Sequence, residues 1–367
     1  CVTRRQRQMC IRDSFYSQSS QYMNFTSQID NWYTKNKRDL PWRKNKDPYS
    51  VWLSEIILQQ TQIQQGLPYY TKFIKKYPDV FSLAIAHEEE ILKLWQGLGY
   101  YSRARNLHKT SKIIVSDYKG IFPKTFLQLL KLPGIGKYTA SAISSICFEE
   151  KQAVLDGNVF RLLSRYFGID IPINSSKGIN TFEKLSYDLL PKINIGDYNQ
   201  ALMDFGSLVC KPKMAKCDIC ILQDDCNAHG NKTTYLLPVK IKKHKVLTKH
   251  FNFIIFIDSY NNTKIEQRNE KGIWRKLYQF PLIISEKELN ITELINNLKT
   301  LNPILSSKYE VELINPKPEI HNLTHRKLYI KYWKIQMDDL SPNLTPIKNL
   351  VNYPFPIVLS RFIKSYF

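Results

Sequence analysis

No apolar run in these 367 residues approaches the ~20 residues that a membrane-spanning helix requires, and the chain shows no secretory h-region. Internal repeats and long low-complexity tracts are also missing, which excludes solenoid and fibrous architectures. Acid is in short supply: Lys and Arg number 53 against 32 Asp and Glu, a formal net charge of +21. With 13% aromatic residues, that imbalance favours a polyanionic partner whose bases can be stacked upon, so nucleic acid is the expected ligand class. A lysine-rich proteome would produce the same imbalance without any such partner. A 43% hydrophobic content suffices for two ordinary cores, so a soluble two-domain protein is expected.

Residues 1–22 begin without Met, carry four Arg against one Asp, and show no apolar periodicity. They are expected to be a non-native or disordered extension, with Met23 as the true start; a mitochondrial presequence is the rival account. Residues 23–226 read as helical throughout, with apolar positions three and four apart and turns at Pro78, Gly120, Pro133, Gly168 and Pro191. Residues 227–250 turn polar and basic (Lys240, Lys242, Lys243, Lys245 and Lys249 follow Pro238) and read as a linker able to track phosphate. In residues 251–367, strand-like runs at 251–257 and 327–335 flank an amphipathic helix with Ile291, Leu294, Ile295 and Leu298 on one face. The expected fold class is therefore multidomain, an all-α domain followed by an α+β domain.

Three motifs carry chemistry. Cys210, Cys217, Cys220 and Cys226 are spaced C-x6-C-x2-C-x5-C, a set that suits a metal better than disulfides in a chain with seven cysteines and no secretory segment. Zinc sites usually pair two short hooks, whereas this wide first gap favours a [4Fe-4S] cluster held in a segment of about 207–226. Between helical segments 125–131 and 137–148 lies Leu132-Pro-Gly-Ile-Gly136, where Gly134, Gly136 and the adjacent Lys137 would present backbone N–H groups and charge to a DNA phosphate. The alternative is an ordinary packing corner. Asp156, ahead of Gly157 and Asn158, sits where either a catalytic carboxylate or a helix N-cap belongs.

The hairpin, an Asp about 20 residues later and the four-cysteine segment together resemble the endonuclease III superfamily of helix-hairpin-helix base-excision DNA glycosylases. Within it, the segments Leu40 to Arg43, Asp47 to Tyr49, Ser54 to Thr61, Gly97 to Arg103 and Leu132 to Ala140 resemble the adenine-specific family. That resemblance implies that Glu55 protonates N7 of adenine and that Asp156 stabilises the sugar cation, supported by Tyr138 and Asn158. The pairing makes chemical sense, because cleaving an N-glycosidic bond leaves positive charge on the sugar and negative charge on the base. Glu55 must then be protonated, hence buried among apolar neighbours such as Trp52, Ile56 and Leu58. Lyase relatives carry a lysine where this chain has Tyr138, and tyrosine forms no Schiff base, so a monofunctional hydrolytic enzyme is expected. The resemblance further implies an adenine pocket of Trp42, Arg43 and Gln200, wedge residues Gln60 and Tyr100, and a DNA contact at Arg103.

The second domain resembles the MutT-like (Nudix-type) domain of the same family through 265–268, 272–274, 277–281 and 321–325. Glu286, Glu288 and Glu293 lack the order of a magnesium-binding box, so hydrolysis there is not expected. Leu323, Thr324 and His325 fall where relatives inspect 8-oxoguanine. The resulting expectation is a monomeric, cytoplasmic, nucleoid-associated enzyme that removes adenine opposite 8-oxoguanine or G in double-stranded DNA, with a [4Fe-4S] cluster and no membrane association. A bifunctional glycosylase/AP lyase and a non-catalytic iron-sulfur DNA-binding or redox protein are the competing readings.

Overall fold

A computed structural model describes residues 4–241, 246–301, 310–337 and 344–367, and of 4–19 and 299–301 the backbone alone. In chain order the described helices are α1 (Arg4–Asn36), α2 (Pro48–Leu58), α3 (Ile63–Lys76), α4 (Val80–Ile85), α5 (Glu88–Leu94), α6 (Ser102–Tyr118), α7 (Phe126–Leu129), α8 (Lys137–Phe148), α9 (Gly157–Phe167), α10 (Ser176–Asp188), α11 (Ile195–Leu208) and α12 (Asn227–Gly230). Two more, α13 (Ile291–Leu301) and α14 (Ile357–Tyr366), accompany strands in the C-terminal part. The chain divides into two compact units: residues 1–62, 77–81 and 109–242, and residues 63–76, 82–108 and 243–367.

In the first unit α11 packs against α1, α8 and α9, while α2 packs against α8. Phe25, Ile29 and Tyr33 of α1, Leu162, Leu163 and Tyr166 of α9, Phe182 of α10, and Tyr198, Leu202 and Phe205 of α11 form its core. The close approach of α11 depends on two glycines. A Cβ at Gly196 would lie 2.6 Å from Ile146 Cα, and one at Gly206 would lie 2.8 Å from the Asn158 carbonyl. Residues 1–22, expected to lack regular structure, are helical from Arg4 onward as part of α1. Neither Pro nor Gly occurs before Pro41, so nothing in the sequence interrupts the helix that the packed half nucleates.

The expected linker is also structured in part: α12 packs against α9, Ile173 N–H donates to the Val239 carbonyl (3.0 Å), and Asn174 and Ile241 exchange two hydrogen bonds of 2.9 Å. Lys242, Lys243 and Lys245 lie outside the described residues.

In the second unit β1 (Leu247–Ile257) runs parallel to β8 (Arg326–Gln336), in register from Leu247 with Arg326 to Ile257 with Gln336. Numbered from the chain, β2 (Asn262–Thr263), β5 (Leu282–Ser285), β6 (Val311–Leu313), β7 (Glu319–Asn322) and β9 (Thr345–Pro346) complete that sheet; β3 (Glu266–Gln267) and β4 (Tyr278–Gln279) form a separate ribbon. Ile254, Phe256, Trp333 and Ile335 bury one face beneath Leu294 and Leu298 of α13, whereas Ile291 is exposed. Residues 82–108 join the C-terminal part of this unit through specific bonds. Gln96 Nε2 donates to the Phe355 carbonyl and Ser360 Oγ (both 2.9 Å), Lys93 Nζ to the Tyr353 carbonyl (3.0 Å), and Tyr278 OH to Glu89 (2.7 Å).

Gly206→Ala should destabilise the protein by about 1–3 kcal/mol through overpacking, read as a lowered midpoint in thermal or urea unfolding. At Gly157, also helical, a Cβ meets open space, and the alanine variant should unfold with the wild-type midpoint.

Candidate active site

The first unit brings two carboxylates and a phenol into one electrostatic neighbourhood. α2 begins at Asp47, whose side chain accepts from Ser50 N–H (2.9 Å), with Pro48 in the first turn. Nearly the whole helix is buried, so Glu55, flanked by Ser54 and Ile56, is only 9% exposed. Burial pushes its carboxyl up to about 7, the Tyr138 hydroxyl partly offsets that rise, the Asp156 charge adds to it, and Arg43 opposes it. Tyr138 lies in the first turn of α8, and its hydroxyl also contacts Met203 Sδ at 3.4 Å. Burial and the charges of Glu55 and Asp156 push that phenol well above its ordinary value.

Asp156 is the N-cap of α9. Its Oδ1 accepts from the N–H groups of Asn158 and Val159 (both 2.8 Å), and Oδ2 accepts from Asn158 Nδ2 (2.6 Å). The cap geometry fixes the carboxylate while desolvation raises its pKa against those hydrogen bonds, so the capping role and a place in the site are one arrangement. From Asn158 the bonding continues: its Oδ1 accepts from Arg161 Nη2 (2.9 Å), and Arg161 also donates to the carbonyls of Cys210 (2.7 Å) and Gly206 (2.5 Å).

Arg43, on the short turn Pro41–Arg43, donates both terminal nitrogens to the fully buried Asp204 at 2.7 and 2.9 Å. Arg38 shares that carboxylate through its Nε at 2.9 Å. Trp42 is 6% exposed, and Gln200 is buried on α11 with Nε2 3.5 Å from Asp197. Sequence reasoning missed Asp204, Arg38 and Arg161. An acid in the otherwise apolar stretch of α11 was the available signal for the first.

The four cysteines border one cavity together with Leu162, Arg165 and Phe205. Among the described residues no three His, Cys, Asp or Glu side chains converge on a point that would hold a single ion. The four thiols line this one space, a donor set whose chemistry suits a thiolate-held metal group. Arg165 donates to Cys210 Sγ (3.4 Å) and to the carbonyls of Lys211 (2.7 Å) and Pro212 (3.2 Å), a cationic contact suited to thiolates.

Gln60 and Tyr100 are exposed and adopt left-handed backbone, with φ of +56° and +48°. The hairpin is present, with Gly134 at φ +79° and Gly136 as the extended N-cap of α8; Lys137 pairs with Glu183 at 3.1 Å and stays mostly exposed. Arg103, expected to contact DNA, packs within its own loop. It is 8% exposed, donates to the carbonyls of Leu98 and Gly99 (both 3.3 Å), and lies over the rings of Trp95 and Tyr100. Its reach is turned inward because the Gly97–Gly99 loop offers it carbonyls. Leu323, Thr324 and His325 form the turn between β7 and β8, Thr324 and His325 exposed, and Thr324 Oγ1 shares a hydrogen bond with Tyr100 OH. Glu286, Glu288 and Glu293 are engaged by Lys249, Lys331 and Lys287 respectively.

A helical hairpin beside a buried acid and a second, capped carboxylate is the equipment of a base-excision DNA glycosylase. Residues 53–185 match the family described as HhH-GPD superfamily base excision DNA repair protein, and residues 252–365 match the NUDIX domain. The adenine DNA glycosylase of Buchnera aphidicola subsp. Baizongia pistaciae is 38% identical over 308 residues, covering 83% of this chain and 84% of that protein. The Homo sapiens adenine DNA glycosylase is 39% identical over 213 residues, 56% of this chain and 39% of that protein. Among solved structures, a thermostable thymine-DNA glycosylase is 30% identical with a TM-score of 0.55, covering 59% of this chain and 99% of that one. An endonuclease III in a non-covalent DNA complex shares the fold at 21% identity and a TM-score of 0.50, over 57% of this chain and 97% of that one. The chain belongs to the adenine DNA glycosylase family. Among the described residues no helix is long and apolar enough to cross a membrane.

Two outcomes follow from this electrostatic arrangement. Because the folded carboxyl of Glu55 titrates near 7 rather than 4.5, the native state holds a proton that the unfolded chain has released in between, and stability falls as pH rises through that window. Glu55→Gln should therefore unfold at a higher temperature than wild type at pH 8, by on the order of 2–3 kcal/mol in stability, with the difference vanishing below pH ~4.5. Asp204→Asn leaves two arginines without their shared buried carboxylate and should lose about 3–5 kcal/mol in urea unfolding.

Proposed function

We propose that this protein is a monofunctional adenine DNA glycosylase of base-excision repair, acting on adenine paired with 8-oxoguanine or with G in duplex DNA. The observation that carries the reading is Glu55: a carboxyl held protonated up to about pH 7 in the same field as the capped Asp156. Protonated Glu55 gives its proton to N7 of the extruded adenine. The C1′–N9 bond then breaks with its electron pair leaving on the base, and Asp156 balances the positive charge that develops on the sugar. Water adds to C1′, and the proton it gives up restores the carboxyl group. Asn158 orients Asp156, and Tyr138 sits beside Glu55 where an amine would otherwise attack the sugar.

Arg43, Trp42 and Gln200 line the base pocket in this reading. Gln60 and Tyr100 occupy the stack that adenine leaves, offsetting an extrusion that costs a few kcal/mol. Gly134, Gly136 and Lys137 hold phosphate. Leu323, Thr324 and His325 read the lesion base, a role supported by the exposure of the last two and by the bond from Thr324 to Tyr100. Cys210, Cys217, Cys220 and Cys226 would hold a [4Fe-4S] cluster, which when bound fixes the loop carrying the exposed Lys213 and Lys216. The protein acts as a monomer, at the nucleoid in the cytoplasm.

A lyase reading could turn to Lys137, one residue before Tyr138, but that side chain is engaged by Glu183 on the surface. Wild-type protein should release free adenine from duplexes with A opposite 8-oxoguanine and A opposite G, and none from A opposite T. Borohydride should trap no covalent adduct. Glu55→Gln should lower single-turnover release by at least about 10²-fold with binding of the duplex retained, and wild-type activity should decline as pH rises through 7. Release unchanged in Glu55→Gln would overturn the assignment of the acid.

A further inference from the structure

Beside Asp156 lies an open pocket that the proposed chemistry does not use. Its walls are one side of α9 (Gly157, Asn158, Arg161 and, in the last turn, Arg165), Pro212 of the cysteine segment, and Tyr235, Leu237, Pro238 and Lys240 of the strap 235–240. Arg161 and Arg165 are 7% and 3% exposed. Their hydrogen bonds go to backbone carbonyls, the Asn158 side chain and Cys210 Sγ, and neither forms an ion pair among the described residues. Lys240, exposed on the strap, adds a third cation, and among the described residues no acid lines the pocket.

We propose that this pocket binds a backbone phosphate of the DNA strand that carries the excised adenosine, with Lys240 as its direct ligand and Tyr235 against the adjoining sugar. Backbone N–H groups at the start of α9 do not hold that phosphate, since Asp156 already takes those of Asn158 and Val159. The recognition is therefore by side-chain charge. Buried guanidiniums fixed by carbonyls keep their positive field without the freedom to turn away, and that field reaches an anion at the mouth. The strap is held in advance: Arg165 Nε donates to the Leu237 carbonyl at 3.0 Å, and Val239 and Ile241 bond to Ile173 and Asn174. Lys240 is thus presented at a set distance along the chain from the sugar-facing Asp156. Tyr235, 80% exposed, offers an aromatic face at the rim.

This inference rests on the glycosylase reading, and adenine release by the wild type tests that reading separately. Binding is measured with a duplex holding an uncleavable abasic-site analogue opposite 8-oxoguanine, at several salt concentrations, with single phosphates replaced in turn by neutral methylphosphonate. Lys240→Ala should weaken binding about three- to tenfold and reduce the slope of log K against log salt by about 1; the exposed Lys271→Ala in the other unit should change neither. One methylphosphonate next to the abasic nucleotide should weaken wild-type binding and leave Lys240→Ala unaffected. Lys240→Glu should weaken binding further. Wild-type affinity and salt slope in Lys240→Glu, or losses from methylphosphonate and Lys240→Ala that add at every position, would overturn the proposal.

Discussion

The close packing of α11 against α8 and α9 is the constraint on which the site depends. Gly196 and Gly206 let the backbones meet where any Cβ would overlap its neighbour. From that position α11 contributes at several places at once. Asn199 accepts from Val154 N–H (3.1 Å) and donates to the Gln152 carbonyl (2.8 Å), which fixes the chain just ahead of Asp156. Met203 touches the Tyr138 hydroxyl, and Asp204 grips Arg43 and Arg38. The helix then runs into Cys210, whose carbonyl Arg161 takes up. Displacing α11 would loosen every one of these contacts together.

The same helix resolves an electrostatic conflict. A carboxyl that is to be protonated near neutral pH must be buried, and a nearby guanidinium opposes that by favouring the carboxylate. Arg43 does oppose the rise at Glu55, yet burial wins, and the carboxyl titrates near 7. Asp204 is the reason the opposition stays modest: it occupies both terminal nitrogens of Arg43 and returns a negative charge beside them. Two arginines on one buried carboxylate leave net positive charge there. That residual suits a pocket for an electron-rich base while leaving the acid its proton.

Much of this was legible in the sequence, for identifiable reasons. Glu55 alone reads as a solvated helix carboxylate; its burial was expected only because the resemblance gives it the role of an acid, and α2 does bury it. Leu132 to Gly136 announces its turn because few residues other than glycine tolerate the backbone of Gly134, and the cysteine spacing needs no fold to be recognised. Pairings distant in sequence were not legible. Nothing local says that Phe251 lies beside Ile330 in a parallel pair, that Asp204 meets Arg43, or that Val239 zips onto Ile173. Asp156 was legible as either a cap or a site residue; the cap is observed, and the cap geometry also fixes the carboxylate in the electrostatic neighbourhood of Tyr138 and Glu55.

Arg103 was read as a DNA contact from its place in the Gly97 to Arg103 motif, whereas its side chain lies buried beneath that loop. Its true placement explains a feature the sequence did not disclose. Tyr100 has φ of +48°, a region that non-glycine residues occupy at a cost of about 1–3 kcal/mol unless their surroundings hold them there. Gly97 and Gly99 absorb neighbouring left-handed positions, Tyr69 OH closes the loop by donating to the Gln96 carbonyl at 2.8 Å, and Arg103 ties down the carbonyls of Leu98 and Gly99 from beneath. The strained conformation is thereby over-determined, and its effect is to hold the Tyr100 ring out in solvent. Gln60, at φ of +56° directly after α2, is strained and exposed in the same way. At Tyr100 that strain is absorbed by glycine and a buried arginine, which keeps an exposed aromatic side chain in one conformation.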